Sequence, residues 1–533
     1  MHASNYKMPS NMTHNFSRVP QVHNPRSTFV SPYTYKTALN AGFLYPFFMD
    51  EVLPGDTFND DFTVFARLTT PIKPIMDNLY LDTFFFYIPN RLLDDTWEKL
   101  NGAQDNPGDS IDYVVPQIPA PAVTGFASES LFDYMGIRPG VTNFSIDAYH
   151  PLAYNLLFNT NFRDENLQDS VYFSKGPGPH AATNFNLLRR GKRFDYFTSC
   201  LPFPQKGPEV TIPILGDAPL IGIGTKTNVG FSPGVTGYDY DGAVTYTQGR
   251  ATDAGGANNA IIVDVDPATG LPKWAASMAE VSGVSINQFR TSYQIQMLLE
   301  NDARGGTRYP EILRAHFNVI SPDFRLQRPE YLGGTSVPVT VTPVPQTSST
   351  DNTSPQGNLA AYATSLNRCG YTKSFVEHGV ILGLCSIRAD LTYQYGLRRM
   401  WSRQTRYDFY WPAFAHLGEM AVLNKEIYIQ GTADDNLVFG YQEAWADYKY
   451  HPSLITGKMR SQDPQSLDIW HLSQEFQSLP LLNDEFIVDR TDDVVNRISA
   501  VQDEPQFYFD CFGHLKRARQ MPVYSTPGLI TRL

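Results

Sequence analysis

Leu79-Tyr80-Leu81-Asp82-Thr83-Phe84-Phe85-Phe86-Tyr87-Ile88 is a run of ten residues, mostly aromatic or aliphatic, closed by Pro89. Rings pack well on a pleated surface and lose rotamer freedom in a helix, so this run reads as a strand. Outward from it, residues 62–68, 210–215, 380–387, 426–429 and 506–512 carry the same signature, and most are bounded by Pro, Gly or Asp. Pro213 makes 210–215 an edge strand at best, because proline cannot donate to a ladder. Helical spacing is confined mainly to 148–159 and 287–301; the second sets Phe289, Tyr293, Gln296, Met297 and Glu300 on one face. A few strands joined by very long connections predict a mainly β chain, a barrel or sandwich whose loops carry most of the mass.

The 533 residues are only 18% charged, and 13% are aromatic. Few charges and many amphipathic rings suit a protein with extensive contact surface. The four cysteines, Cys200, Cys369, Cys385 and Cys511, form no C-x-x-C pair, so neither a disulfide framework nor a zinc site is expected. The first residues lack the apolar core of a signal peptide, and no apolar run reaches the ~20 residues that span a bilayer, so no membrane insertion is expected.

Charge is distributed unevenly. No acidic residue precedes Asp50, where Lys7, Arg18, Arg26 and Lys36 stand, and none follows Asp510, where Lys516, Arg517, Arg519 and Arg532 stand. The chain between carries all 54 carboxylates, although the net charge is only −12. Basic ends on an acidic body point to a polyanion. The expected organisation is a basic, extended arm over 1–50, a body over 51–510, and a basic tail over 511–533. Within the body, 217–275 is an exposed glycine-rich insertion, and 336–356 is a Thr/Ser/Pro-rich surface loop.

Catalytic and metal motifs fail on inspection. Gly222-Ile223-Gly224-Thr225-Lys226-Thr227 lacks the glycine that must precede the lysine of a phosphate loop. Asp264 and Asp266 open like a calcium loop, but its twelfth position is Ala275, where a bidentate Glu is needed. There is no H-E-x-x-H and no histidine pair at metal spacing, so neither an enzyme nor a cofactor is expected. One stretch is informative: Arg388, Arg398, Arg399, Arg403 and Arg406 alternate with Tyr393, Tyr395, Trp401, Tyr407, Phe409, Tyr410 and Trp411. Guanidinium groups neutralise phosphates and rings stack on unpaired bases, a mixture suited to single-stranded nucleic acid.

Two blocks carry a family resemblance: Leu298-Leu299-Glu300-Asn301-Asp302-Ala303-Arg304-Gly305-Gly306-Thr307-Arg308-Tyr309 and Pro322-Asp323-Phe324-Arg325-Leu326-Gln327-Arg328-Pro329-Glu330-Tyr331-Leu332-Gly333-Gly334. With Leu201-Pro202-Phe203-Pro204-Gln205-Lys206-Gly207 and Met521-Pro522-Val523-Tyr524-Ser525-Thr526-Pro527, the chain resembles the major capsid proteins of gokushoviruses, small single-stranded DNA viruses of the Microviridae. The resemblance implies an eight-stranded antiparallel jelly roll with long inserted loops and a few helices. It implies about sixty copies in a T=1 shell around circular single-stranded DNA, assembled in the host bacterial cytoplasm. It also implies a small basic DNA-binding virion protein as partner, and an insertion raised at the threefold axes to meet a host surface receptor.

On this reading Lys7, Arg18, Arg26, Lys516, Arg517 and Arg519, with Arg398, Arg399, Arg403 and Arg406, face the interior and contact phosphate. Tyr238, Tyr240, Tyr246 and Trp274 order the 217–275 insertion around the threefold axis. The rival is a carbohydrate-binding or carbohydrate-active β-sandwich, which accounts for the aromatics but not for the basic ends.

Overall fold

The computed structural model describes residues 25–110, 112–208, 286–305, 309–317, 327–348, 356–501 and 503–524, together with six short strands between 220 and 276. The chain divides into two compact units, 1–204 with 321–533, and 205–320.

The first unit is built on nine strands: β1 (Ser27–Leu39), β2 (Tyr45–Val52), β3 (Thr57–Leu68), β4 (Leu79–Pro89), β5 (Glu330–Pro338), β6 (Thr340–Pro345), β7 (Leu359–Ser374), β8 (Gly379–Ala389) and β9 (Phe507–Arg519). They form two antiparallel sheets, in the orders β1-β9-β3-β7-β6 and β5-β4-β8-β2. Alternation in β3 and β9 explains their placement. Phe58, Phe62, Val64, Ala66 and Leu68 point inward, as do Phe507, Phe509, Cys511 and Leu515, and the residues alternating with these two rows, such as Asn59, Thr63, Phe65, Tyr508 and Phe512, face outward. Between the sheets, Phe62 and Phe85 stack with centroids 5.0 Å apart, and Phe47 and Phe48 meet Phe62 edge-on.

The four-stranded sheet is covered on its other face as well. Phe86, Ile88, Val380, Leu382 and Leu384 pack with Phe126, Leu131, Leu152, Tyr154 and Leu157 from the long connection after β4. Helix α1 (Tyr149–Leu157) supplies the last three and is buried almost throughout. That double burial explains the unbroken apolar runs in β4 and β8.

The second unit holds helices α2 (Ile286–Arg304) and α3 (Tyr309–Phe317), and three short antiparallel strand pairs. His316 and Asp302 join its two helices at 2.7 Å.

Several expectations need correction. The described part of the supposed arm is mostly sheet: β1 occupies 27–39 and β2 occupies 45–52, and Phe47 and Phe48 are core. The rings of β1 alternate with Ser, Thr and Lys, and a pattern so polar becomes a strand only because β9 pairs along its whole length. The tail likewise runs as β9 to Arg519. Residues 336–345 belong to β5 and the edge strand β6, where Pro343 and Pro345 are tolerated. Residues 426–429 begin inside a helical turn, Asn424–Ile427, where the Glu426 carboxylate accepts from the Leu423 N–H at 3.1 Å. Residues 210–215 lie outside the described residues.

Candidate nucleic-acid interface

The outer face of the five-stranded sheet is open among the described residues of its unit. On β9, Tyr508, Asp510, Phe512, His514 and Lys516 face outward, and their neighbours on β3 are Arg67, Phe65, Thr63, Asp61 and Asn59. Leu366 and Arg368 of β7 continue the rows beside Phe65 and Thr63. Phe512, Phe65 and Leu366 are 51%, 40% and 67% exposed, a short apolar band in water. The carboxylates of this face are taken: Asp510 pairs with Lys36 at 2.9 Å, and Asp61 with Arg368. The Arg368 guanidinium beside Asp61 holds that carboxyl below its ordinary range. Arg67 and Lys516 have no ion-pair partner among the described residues, so the face presents rings with unneutralised cations between them.

At the next position of β9 the situation reverses. Arg517 pairs with Asp50 and, at 3.4 Å, with Asp60; Arg519 pairs with Asp56 at 3.0 Å and donates to the Glu51 carbonyl at 2.7 Å. Both guanidinium groups lie over Phe58, and burial brings Arg517 down to about 10. Asp60 is pushed up to about 6, because burial outweighs the hydrogen bond from Tyr371 at 2.8 Å. The expectation of free phosphate contacts therefore needs correction at Arg517 and Arg519, whose charge ties β9 to β2 and β3.

The arginine-rich stretch divides in the same way. Arg399 donates to the Ala421 carbonyl at 2.9 Å and to Glu426 at 3.3 Å. Arg403 pairs with Asp447 and lies 4.2 Å from the Tyr448 ring centroid. Arg388 is bound to Asp82 in the core. Arg406, in contrast, is exposed between Tyr407 and Trp411, and Arg398 has no ion-pair partner among the described residues. Arg26 is exposed and donates to Thr57. Lys7, Arg18, Tyr240 and Trp274 lie outside the described residues, and Tyr238 and Tyr246 fall on two paired short strands.

A cavity of about 440 Å³ opens beside this stretch, lined from 193–197, 390–403 and 447–455 with Arg460. Sequence reasoning missed it, together with Arg67, Arg368, His514, Phe65 and Phe512 on the open sheet. Alternation in 58–68 and 507–516 was the available signal for the sheet face; nothing in the sequence joined the two. No cluster of His, Cys, Asp and Glu fit for a metal exists among the described residues, and no helix among them is long and apolar enough to cross a membrane.

The described residues thus form a two-sheet antiparallel sandwich with long connections, one sheet face of which presents exposed rings and cations. The family model described as capsid protein (F protein) matches residues 17–529, and the chain belongs to that family. It is 45% identical to capsid protein VP1 of Bdellovibrio phage phiMH2K, over 97% of this chain and 98% of that protein. It is 42% identical to capsid protein VP1 of Chlamydia phage 1, over 99% of each chain, and 36% identical to that of Spiroplasma virus 4, over 97% of each. The gokushovirus resemblance is thus borne out along nearly the whole chain.

Proposed function

We propose that this protein is the major capsid subunit of a small single-stranded DNA phage, and that about sixty copies close a T=1 icosahedral shell around a circular genome. The observation that carries this is the capsid-family match from residue 17 to 529, with relatives aligned almost end to end. The sandwich supports the finer reading of an eight-stranded jelly roll. With β6 taken as the continuation of β5 beyond Val339, the remaining strands follow the orders first-eighth-third-sixth and second-seventh-fourth-fifth. The work of such a subunit is association, with no chemical step. It resides in the virion, and assembly takes place in the host bacterial cytoplasm.

The open face of the five-stranded sheet, with Lys516, Arg67, Phe512 and Phe65, is the surface we assign to the genome, because unpaired cations and exposed rings suit phosphate and base together. Lys7, Arg18 and Arg26, before β1, add to it, and a small basic virion protein shares the interior. Residues 217–275, with Tyr238, Tyr240, Tyr246 and Trp274, form the threefold protrusion that meets the host receptor. Electron microscopy of purified particles tests the whole reading. Sixty subunits, the sheet face turned inward and 217–275 outermost are expected; a soluble monomer, or a sheet face turned outward, overturns it.

A further inference from the structure

The cavity beside the arginine-rich stretch holds more positive charge than its own chain neutralises. Three of its guanidinium groups are committed: Arg193 to Asp390 at 3.0 Å, Arg399 to Glu426 and Arg403 to Asp447. Its remaining carboxylate, on Asp195, accepts from the Phe197 and Thr198 N–H groups at 2.8 and 2.7 Å. Arg398 and Arg460 are left over, with no carboxylate in ion-pair reach among the described residues. Buried donors in the lining are short of acceptors too: Arg193 Nη1, Arg403 Nε and Thr392 Oγ1 have no hydrogen-bond partner among the described residues. A buried donor left unmade costs about 1–3 kcal/mol, so such a wall favours a ligand rich in anionic acceptors. Rings complete the site. Phe194 stands 83% exposed at the rim, and Tyr448 carries the Arg403 guanidinium against it. Tyr196 and Tyr450 stack beside them with planes 6° apart.

We propose that this cavity takes one nucleotide of an unpaired DNA strand, its phosphate on Arg398 and Arg460 and its base against Phe194 and Tyr448. The proposal rests on the reading that the shell encloses single-stranded DNA. The volume suits it: about 440 Å³ lies in the range of small-molecule sites, roughly 300–1,000 Å³, and exceeds what a bare phosphate needs. Stacking on rings tolerates any base, as a shell that packs a whole genome requires.

Ultraviolet crosslinking of DNA-filled particles, followed by mass spectrometry, is expected to leave base adducts on Phe194, Tyr448 or Tyr450. In parallel, the full chain carrying Arg398→Gln and Arg460→Gln is expected to bind an oligothymidylate roughly ten-fold more weakly, as charge-assisted hydrogen bonds to phosphate disappear. Neither arginine makes an ion pair among the described residues, so the variant's circular dichroism should match the parent's. Adducts found only elsewhere with unchanged oligonucleotide affinity, or polypeptide density filling the cavity in the particle, overturn the pocket and leave the DNA-lined shell standing. No adducts anywhere, with no oligonucleotide binding by the parent chain, overturn the DNA reading itself.

Discussion

β7 and β8 follow one another in the chain, yet they meet opposite environments. Every residue of β8 is buried, while β7 alternates between buried and exposed along most of its length. The reason lies outside both strands. The connection after β4 lays α1 and its neighbours over the four-stranded sheet, whereas no described residue of the first unit covers the outer face of the five-stranded one. One sheet is thereby turned into interior on both sides and the other keeps a working surface. Exposed rings in such a place are informative because a solvated sheet face is normally polar.

The largest test of this asymmetry is at Asp82 on β4, which holds both Arg190, at 2.5 Å, and Arg388, at 3.0 Å, beneath the covering connection. Burial alone would raise its carboxyl, but the two guanidinium groups, Arg190 foremost, hold it below the ordinary range. Asp82→Ala leaves two buried cations facing one another and is expected to cost about 3–5 kcal/mol in urea unfolding. Next is a matched pair of leucines. Leu382→Ala, beneath the connection, is expected to lose about 2–5 kcal/mol, and Leu366→Ala, on the open face, less than about 0.5 kcal/mol. Equal losses would mean that the two sheets are not covered as described.

A pH effect of somewhat smaller size comes from Asp60. Its folded carboxyl sits at about 6 against an ordinary 3.8. A carboxyl raised in the folded state contributes stability that is fully present below about pH 4 and lost as pH rises through about 6. Unfolding free energy is expected to fall by roughly 2–3 kcal/mol across that window from this group, and Asp60→Asn should flatten that part of the profile. A profile unchanged by Asp60→Asn would mean that Asp60 titrates normally. Smallest in stability is the pair Lys516→Gln and Arg67→Gln, expected to leave unfolding unchanged. It should instead make oligonucleotide binding less salt-dependent, by roughly 0.7 in log–log slope for each phosphate that is no longer neutralised.

How much of this was legible depended on burial. The runs at 79–88 and 380–387 announced themselves because strands buried on both faces need no polar residues. β1 did not, since Ser31, Thr34, Lys36 and Thr37 dilute its rings and Pro32 interrupts them. The short run at 426–429 misled because four residues carry too little periodicity to separate strand from helical turn. Among the cations, charge was visible and its fate was not: Lys516 and Arg517 are adjacent, and one is in water while the other is locked against Asp50 and Asp60.

The sequence by itself determined the β character, the helices at α1 and α2, the basic ends and, through its long blocks, the capsid family. Local patterns suffice for these, because a period of two or of 3.6 is written in neighbouring residues. Only the tertiary structure decided which strands pair, which sheet face stays open and which arginines are spent. Arg517 and Asp60 stand 457 positions apart, and alternation tells a strand which face to bury without naming the strand that will lie beside it.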